Sequence, residues 1–373
     1  MPQTNLQARI LAGWRGFQAV SHIRWLILIL GPLPIVGSSW ALSAWLKAEP
    51  DSGALRNDVV ALAAADLPAP AAQEKPAPQP VTLGSERTQR VVNRPASAPA
   101  EASRTDRSPS DLTQACAQAA AKLEKTLGPE CRVLARPPFV VAGDMEPTDL
   151  EAVYDSSIVP AARAMWNSYF VTQPDQCVTV LLFRTEQSYN RYCEKLFGDG
   201  RISVYGYYKP QVRTLVLNLG TGAGTLVHEL THALVDFDFP DVPQWFNEGL
   251  ASMHEQCRFR EGQRGPWIEG LVNWRLKGLQ QTIRQKRLRS LESLVDTGDF
   301  RGPLEGTNYA QARYFCMYMQ RRGVLEEFYR TFRTDRAHDP RGHESVAKVF
   351  SKMTWAELDR DFQRWVLDLA EPQ

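Results

Sequence analysis

TLVHELTHALVDFDFPDVPQWFNEGLASMHE, residues 225–255, is the stretch on which the reading of the whole chain turns. It holds His228, Glu229 and His232 in the order H-E-x-x-H, then Glu248 inside N-E-G-L-A. A helix over 225–235 puts His228 and His232 one turn apart on the same face. That is the spacing two imidazoles need to hold one zinc ion, with Glu229 beside them as general base. The neighbouring positions Thr225, Leu226, Val227, Leu230, Thr231 and Ala233 are uncharged, as expected where a charge would be stranded in a buried helix or compete with a metal. Zinc with two His ligands needs a third protein ligand and a fourth position for water. Glu248, after a turn marked by Pro240 and Pro243, supplies the third. The bland alternative is a pair of histidines on an exposed helix face.

Working outward, the upstream residues alternate strand and helix signals. Helices are expected over 111–127, 148–169 (with an awkward Pro160) and 185–196. The apolar runs 139–143 and 177–183 read as strands, the second as a buried one. Residues 202–208 and 214–219 flank a turn at Lys209 and Pro210 and suggest a hairpin. Downstream the pattern turns helical, over 267–286, 309–322, 324–332 and 355–369. The last has Thr354 and Glu357 placed for a capping box and a stripe of Trp355, Leu358, Phe362, Val366 and Leu369 for packing. The expectation is an α+β domain over 111–373, in which a small mixed sheet carries the active-site helix and a helical C-terminal subdomain follows.

The first 110 residues read differently. Residues 1–24 carry Arg9, Arg15 and Arg24 and no acid. The apolar run 25–46 is long enough to span a bilayer, and its basic flank predicts a cytoplasmic N-terminus. We read it as an uncleaved signal anchor, because Trp40 and Trp45 interrupt the small residues that a cleavage site would use; secretion after cleavage is the alternative. Residues 47–110 are rich in Pro and Ala, and no Phe, Trp or Tyr occurs between Trp45 and Phe139. Such a segment buries too little apolar area to offset its chain entropy and reads as a disordered tether. It would hold the domain roughly 45 Å from the membrane. A net charge of +1 and the absence of basic-aromatic runs do not point to nucleic acid, and no nucleic-acid partner is expected. Six cysteines suit an oxidising exterior; Cys116 and Cys131 are the pair nearest in sequence for bridging a helix to the next segment.

The segment WFNEGLAS, residues 245–252, closely resembles the glutamate-ligand segment of gluzincin metallopeptidases, and most of all the W-L-N-E-G-F-A-S of the aminopeptidase-N branch. The interval from His232 to Glu248 is shorter than in that branch and is similar to the peptidase MA-like domains, many of unknown function. The resemblance is specific over about 202–255 and implies a zincin-like fold. It also implies that Glu255, seven residues after Glu248, is a second acidic group behind the ligands, and that a downstream tyrosine, here Tyr309 in GTNYAQARYF, stabilises the oxyanion. It further implies that the strand at 214–219 forms the sheet edge that pairs with substrate. Asp236, one turn beyond His232, is a further candidate for orienting an imidazole. His254 reads as a surface residue, and His338 and His343 fall in a polar loop.

The expected chemistry is hydrolysis of a peptide bond by zinc-activated water with Glu229 as general base. No G-x-M-E-N segment, which captures a free amino terminus in aminopeptidases, is found upstream. An endopeptidase acting on peptide or protein substrates is therefore the reading. The alternative is a catalytically silent module that binds peptides or envelope components, although binding alone would not need a base at Glu229.

Overall fold

The computed structural model describes residues 109–198, 203–222 and 224–370. The basic segment, the spanning helix and all but the last two residues of the linker expected before 111 lie outside them. Among the described residues no helix is long and apolar enough to cross a membrane.

Helix α1 (Pro109–Leu127) leads into the antiparallel strands β1 (Arg132–Arg136) and β2 (Phe139–Gly143). The long helix expected next is present as one unbroken run with a π turn inside it. Helix α2 (Pro147–Val153) passes through a π turn at Tyr154–Ile158 into α3 (Val159–Ser168). Pro160 has no N–H to donate, and it directly follows the π turn, where the ladder shifts so that the Val159 N–H bonds the Tyr154 carbonyl. Strand β3 (Val178–Phe183), helix α4 (Glu186–Phe197), and strands β4 (Gly206–Lys209) and β5 (Thr214–Asn218) complete a five-stranded sheet.

The sheet order is β1-β2-β3-β5-β4, with β2, β3 and β5 parallel and the outer strands antiparallel. The central strands are largely apolar because both faces are covered, and their side chains alternate between two cores. Val141, Val180, Leu182, Leu215 and Leu217 face the main core with Ile158, Met165 and Leu230. Ala142, Leu181, Phe183 and Val216 face Leu127, Tyr189, Tyr192 and Cys193. The hairpin is present, but its order corrects one expectation. Residues 214–219 do not form the sheet edge; β5 lies inside, parallel to β3, and β4 is the edge strand.

Helix α5 (Gly224–Asp238) carries the H-E-x-x-H segment, and α6 (Gln244–His254) carries Glu248. Gly224 lets the two approach, since a Cβ there would meet the Glu255 carbonyl oxygen at 2.5 Å. A two-stranded sheet follows, β6 (Cys257–Arg260) with β7 (Trp267–Gly270). The helix expected over 267–286 is thus a strand in its first turn, and only α7 (Arg275–Arg284) is helical. The remaining helices are α8 (Leu291–Val295), α9 (Glu305–Arg321), α10 (Leu325–Asp335), α11 (His343–Val349) and α12 (Trp355–Asp368). Helix α9 is buried from Ala310 to Met319 and packs on α6. At the start of α12 the Thr354 and Glu357 capping box is formed, and Leu358, Phe362 and Val366 of its stripe are buried. The result is a mixed domain of five-stranded sheet and helices.

Candidate metal centre

Helix α5 turns His228 and His232 to one side, where their Nε2 atoms stand 3.1 Å apart. Oε2 of Glu248 reaches in from α6, 3.6 Å from the first Nε2 and 3.5 Å from the second. A tetrahedral ion about 2.1 Å from each donor sets donors about 3.4 Å apart, which is the size of this triangle. The outer nitrogens are also engaged. His228 Nδ1 contacts Glu255 Oε1 at 3.2 Å, and His232 Nδ1 faces Asn247 Oδ1 at 2.9 Å. An N–H on His232 Nδ1 directed at Asn247 leaves that residue's Nε2 lone pair pointing inward. The Glu255 carboxylate beside His228 Nδ1 favours the same tautomer there, although the 3.2 Å contact is not an aligned hydrogen bond. Glu248 Oε2 is buried without a hydrogen-bond partner. Two lone pairs and a carboxylate oxygen in this geometry repel one another unless positive charge sits among them, so the three residues can hold a metal ion.

The electrostatics point the same way. Burial works against charge on His228, but Glu248 and Glu255 outweigh it and push the imidazole up to about 10. Burial likewise opposes ionisation of Glu248, and the two imidazoles overcome it, holding the carboxyl far below the usual range. Glu255, buried as well, is brought down to about 2 by His228 and Arg275; the Arg275 guanidinium donates to both its oxygens, at 3.0 and 3.3 Å.

Glu229 follows His228 on the helix and is 8% exposed. None of the side chains on the described residues hydrogen-bonds its carboxylate, which leaves it available as a proton acceptor. Tyr309, in the first turns of α9, lies near Glu248, and burial together with that carboxylate raises its pKa, so the phenol stays protonated. The structure therefore brings His228, His232, Glu248, Glu229, Glu255 and Tyr309 together.

Two expectations are corrected. Asp236 does not orient His232: its Oδ2 accepts from the Tyr208 hydroxyl at 3.0 Å, and Asn247 takes the position at the imidazole. One turn along the helix places Asp236 on the β4 side, whereas Asn247 arrives from α6. His254 is not a surface residue. It is fully buried, 3.0 Å from Thr231 Oγ1 and stacked on Tyr169. Burial, with the nearby charge of Arg313, lowers its pKa to about 3, so it stays neutral. Neither His338 nor His343 joins the cluster. Cys116 has the Cys177 thiol as its hydrogen-bond partner rather than Cys131.

Two residues at the site went unread in the sequence. Asn247 adjoins Glu248, and the asparagine of the N-E-G-L-A segment was the signal available for it. Arg301, from the loop between α8 and α9, donates to Glu248 Oε1 at 2.5 Å; no local motif marks it.

A mixed sheet-and-helix domain with a buried His-His-Glu cluster is the class these features define. A family model described as "Protein of unknown function (DUF1570)" matches residues 222–340. That span runs from the start of α5 past α10 and contains every residue of the cluster, with Glu229, Asn247, Glu255, Arg301 and Tyr309. No curated protein compared with the chain matches it.

Proposed function

We propose that the protein is a zinc-dependent metallopeptidase of zincin-like fold that cuts extended chains internally. The observation that carries this reading is the pairing of an inward-facing His-His-Glu triangle with Glu229, a neighbouring carboxylate that accepts no hydrogen bond from the side chains of the described residues. Imidazole and carboxylate donors at tetrahedral spacing suit zinc. When bound, zinc polarises a carbonyl oxygen and makes water more acidic.

The remaining work falls to the chain's own residues. His232 is held in the right tautomer by Asn247, and the Glu255 carboxylate, 3.2 Å from His228 Nδ1, favours a proton on that nitrogen. Glu229 accepts a proton from the attacking water at its carboxylate and passes it to the departing amine nitrogen. Tyr309, kept protonated by burial beside Glu248, donates a hydrogen bond to the oxyanion as charge develops there. The edge strand β4 is the place along which an extended substrate backbone would lie, by β-strand addition. The basic segment 1–24 and the apolar run 25–46 support an outward-facing domain on a single anchor, with secretion after cleavage as the alternative; the N-terminal residue of the mature protein separates the two.

The test is zinc content followed by digestion of a diverse peptide library. Wild type is expected to carry about one zinc and to cleave peptides at internal bonds. Glu229→Gln should keep the zinc and lose about 10²–10⁴-fold in rate. Zinc bound but no peptide cleaved would leave a binding module and sink the enzyme reading.

A further inference from the structure

We propose that Arg301 is a positioning residue that divides the two oxygens of Glu248, so that Oε2 alone meets the metal and the fourth position stays open. This rests on the reading of the cluster as a zinc centre. The division is visible in the distances. Arg301 donates to Oε1 at 2.5 Å, while Oε2 stands 3.6 and 3.5 Å from the two Nε2 atoms and has no hydrogen-bond partner. A carboxylate with both oxygens free can swing to bind through both, adding a further oxygen to the ion and crowding the position that water needs. A charge-assisted bond to Oε1 opposes that swing.

The arginine is itself held in place. Its side chain is 55% exposed, yet Glu305 lies 3.6 Å from its guanidinium, one turn on. The guanidinium also lies against the Tyr309 ring, 5.7 Å from its centroid. That ring packs on Phe300 at 5.2 Å, and buried Asn308 donates to the Phe300 carbonyl at 2.8 Å, pinning the backbone just before Arg301. Arg275 touches the same ring at 5.5 Å and bonds Glu255, the partner of His228. Two arginines around one tyrosine thus reach two carboxylates of the site. Arg275 acts behind an imidazole, and Arg301 acts behind the carboxylate donor.

Two measurements on the full chain test this. One is zinc affinity by competition with a chromophoric chelator. The other is the visible spectrum of the cobalt(II)-substituted protein, whose bands are strong for four-coordinate cobalt and weak when a further oxygen joins. Arg301→Ala should lower zinc affinity about 10–100-fold and weaken the cobalt bands. Arg301→Lys, which restores one charged donor, should recover part of both. If Arg301→Ala fails to fold, Arg301→Gln is measured in its place, with the same expectation of weaker bands and lower affinity. An unchanged cobalt spectrum overturns the proposal, whether or not affinity falls, because Glu248 would then bind as before. Wild type that binds neither metal overturns the zinc reading as well, which separates the two failures.

Discussion

Asn247 and Asp236 compete for the same role, and the geometry separates them. Asn247 Oδ1 lies 2.9 Å from His232 Nδ1, whereas Asp236 is occupied by the Tyr208 hydroxyl. Removing the partner of a ligating imidazole commonly costs 10–100-fold in metal affinity. Asn247→Ala is therefore expected to weaken zinc by about 10–100-fold, Asn247→Asp to preserve binding, and Asp236→Asn to leave it unchanged. Chelator competition on the three variants decides; equal losses from Asn247→Ala and Asp236→Asn would refute the assignment. His228 and His232 were legible because a four-residue interval on a helix fixes a shared face. Glu248 was legible because a third donor was needed and an acidic residue followed the turn. Asp236 was misread because a one-turn interval says which residues are near, not which neighbour arrives from another helix. Arg301, 53 residues beyond Glu248 in chain order, is joined to it only by tertiary folding.

Between elements, the closest approach that matters to the site is α6 on α9. Gly249, next to Glu248, has no room for a side chain: a Cβ would lie 2.8 Å from the Ala312 carbonyl oxygen and 3.0 Å from Cys316 Sγ. Glycine to alanine in an open helix is favourable by up to about 1 kcal/mol, but forcing atoms into a packed contact costs roughly 1–3 kcal/mol. Gly249→Ala should therefore destabilise the domain in urea and, by moving α6, weaken zinc. A gain in stability would show that the helices part without cost. The elements that went astray did so for related reasons. Trp267, Leu271 and Trp274 fall at helical spacing, yet residues 267–270 are a strand because β6 is there to pair with them; over four residues the partner outweighs local pattern. The hairpin was read, but the insertion of β5 between β3 and β4 is set by a crossover that no local signal encodes. The helix expected over 148–169 is present, with a π turn at Tyr154–Ile158 just before Pro160 as its one irregularity.

Across the molecule, Glu269 ties the β6–β7 sheet to α9, and it does so through charge. It is 3% exposed. Arg258 and Arg260 from β6 donate to it at 2.6 and 2.7 Å, and Arg321 from the end of α9 at 2.5 Å. Burial alone would raise its pKa, but the three guanidinium groups outweigh that and bring it down to about 2. A carboxyl held lower in the folded chain than in the unfolded one stabilises the fold above its unfolded value, near 4.5. That contribution is lost as pH falls toward the folded value of about 2. The difference corresponds to roughly 3 kcal/mol, of which more than half is gone by pH 3. Glu269→Gln leaves three arginines without their shared counter-charge and should cost about 3 kcal/mol at pH 7, as expected when one partner of a buried ion pair is removed. Because the variant has no carboxyl to titrate there, its stability should fall less steeply than that of wild type between pH 5 and pH 3. Urea melts of both proteins at pH 7, 5 and 3 read the two slopes. Parallel slopes would mean that Glu269 is not the acid whose protonation loosens α9, the helix that carries Tyr309 and supports α6 from behind.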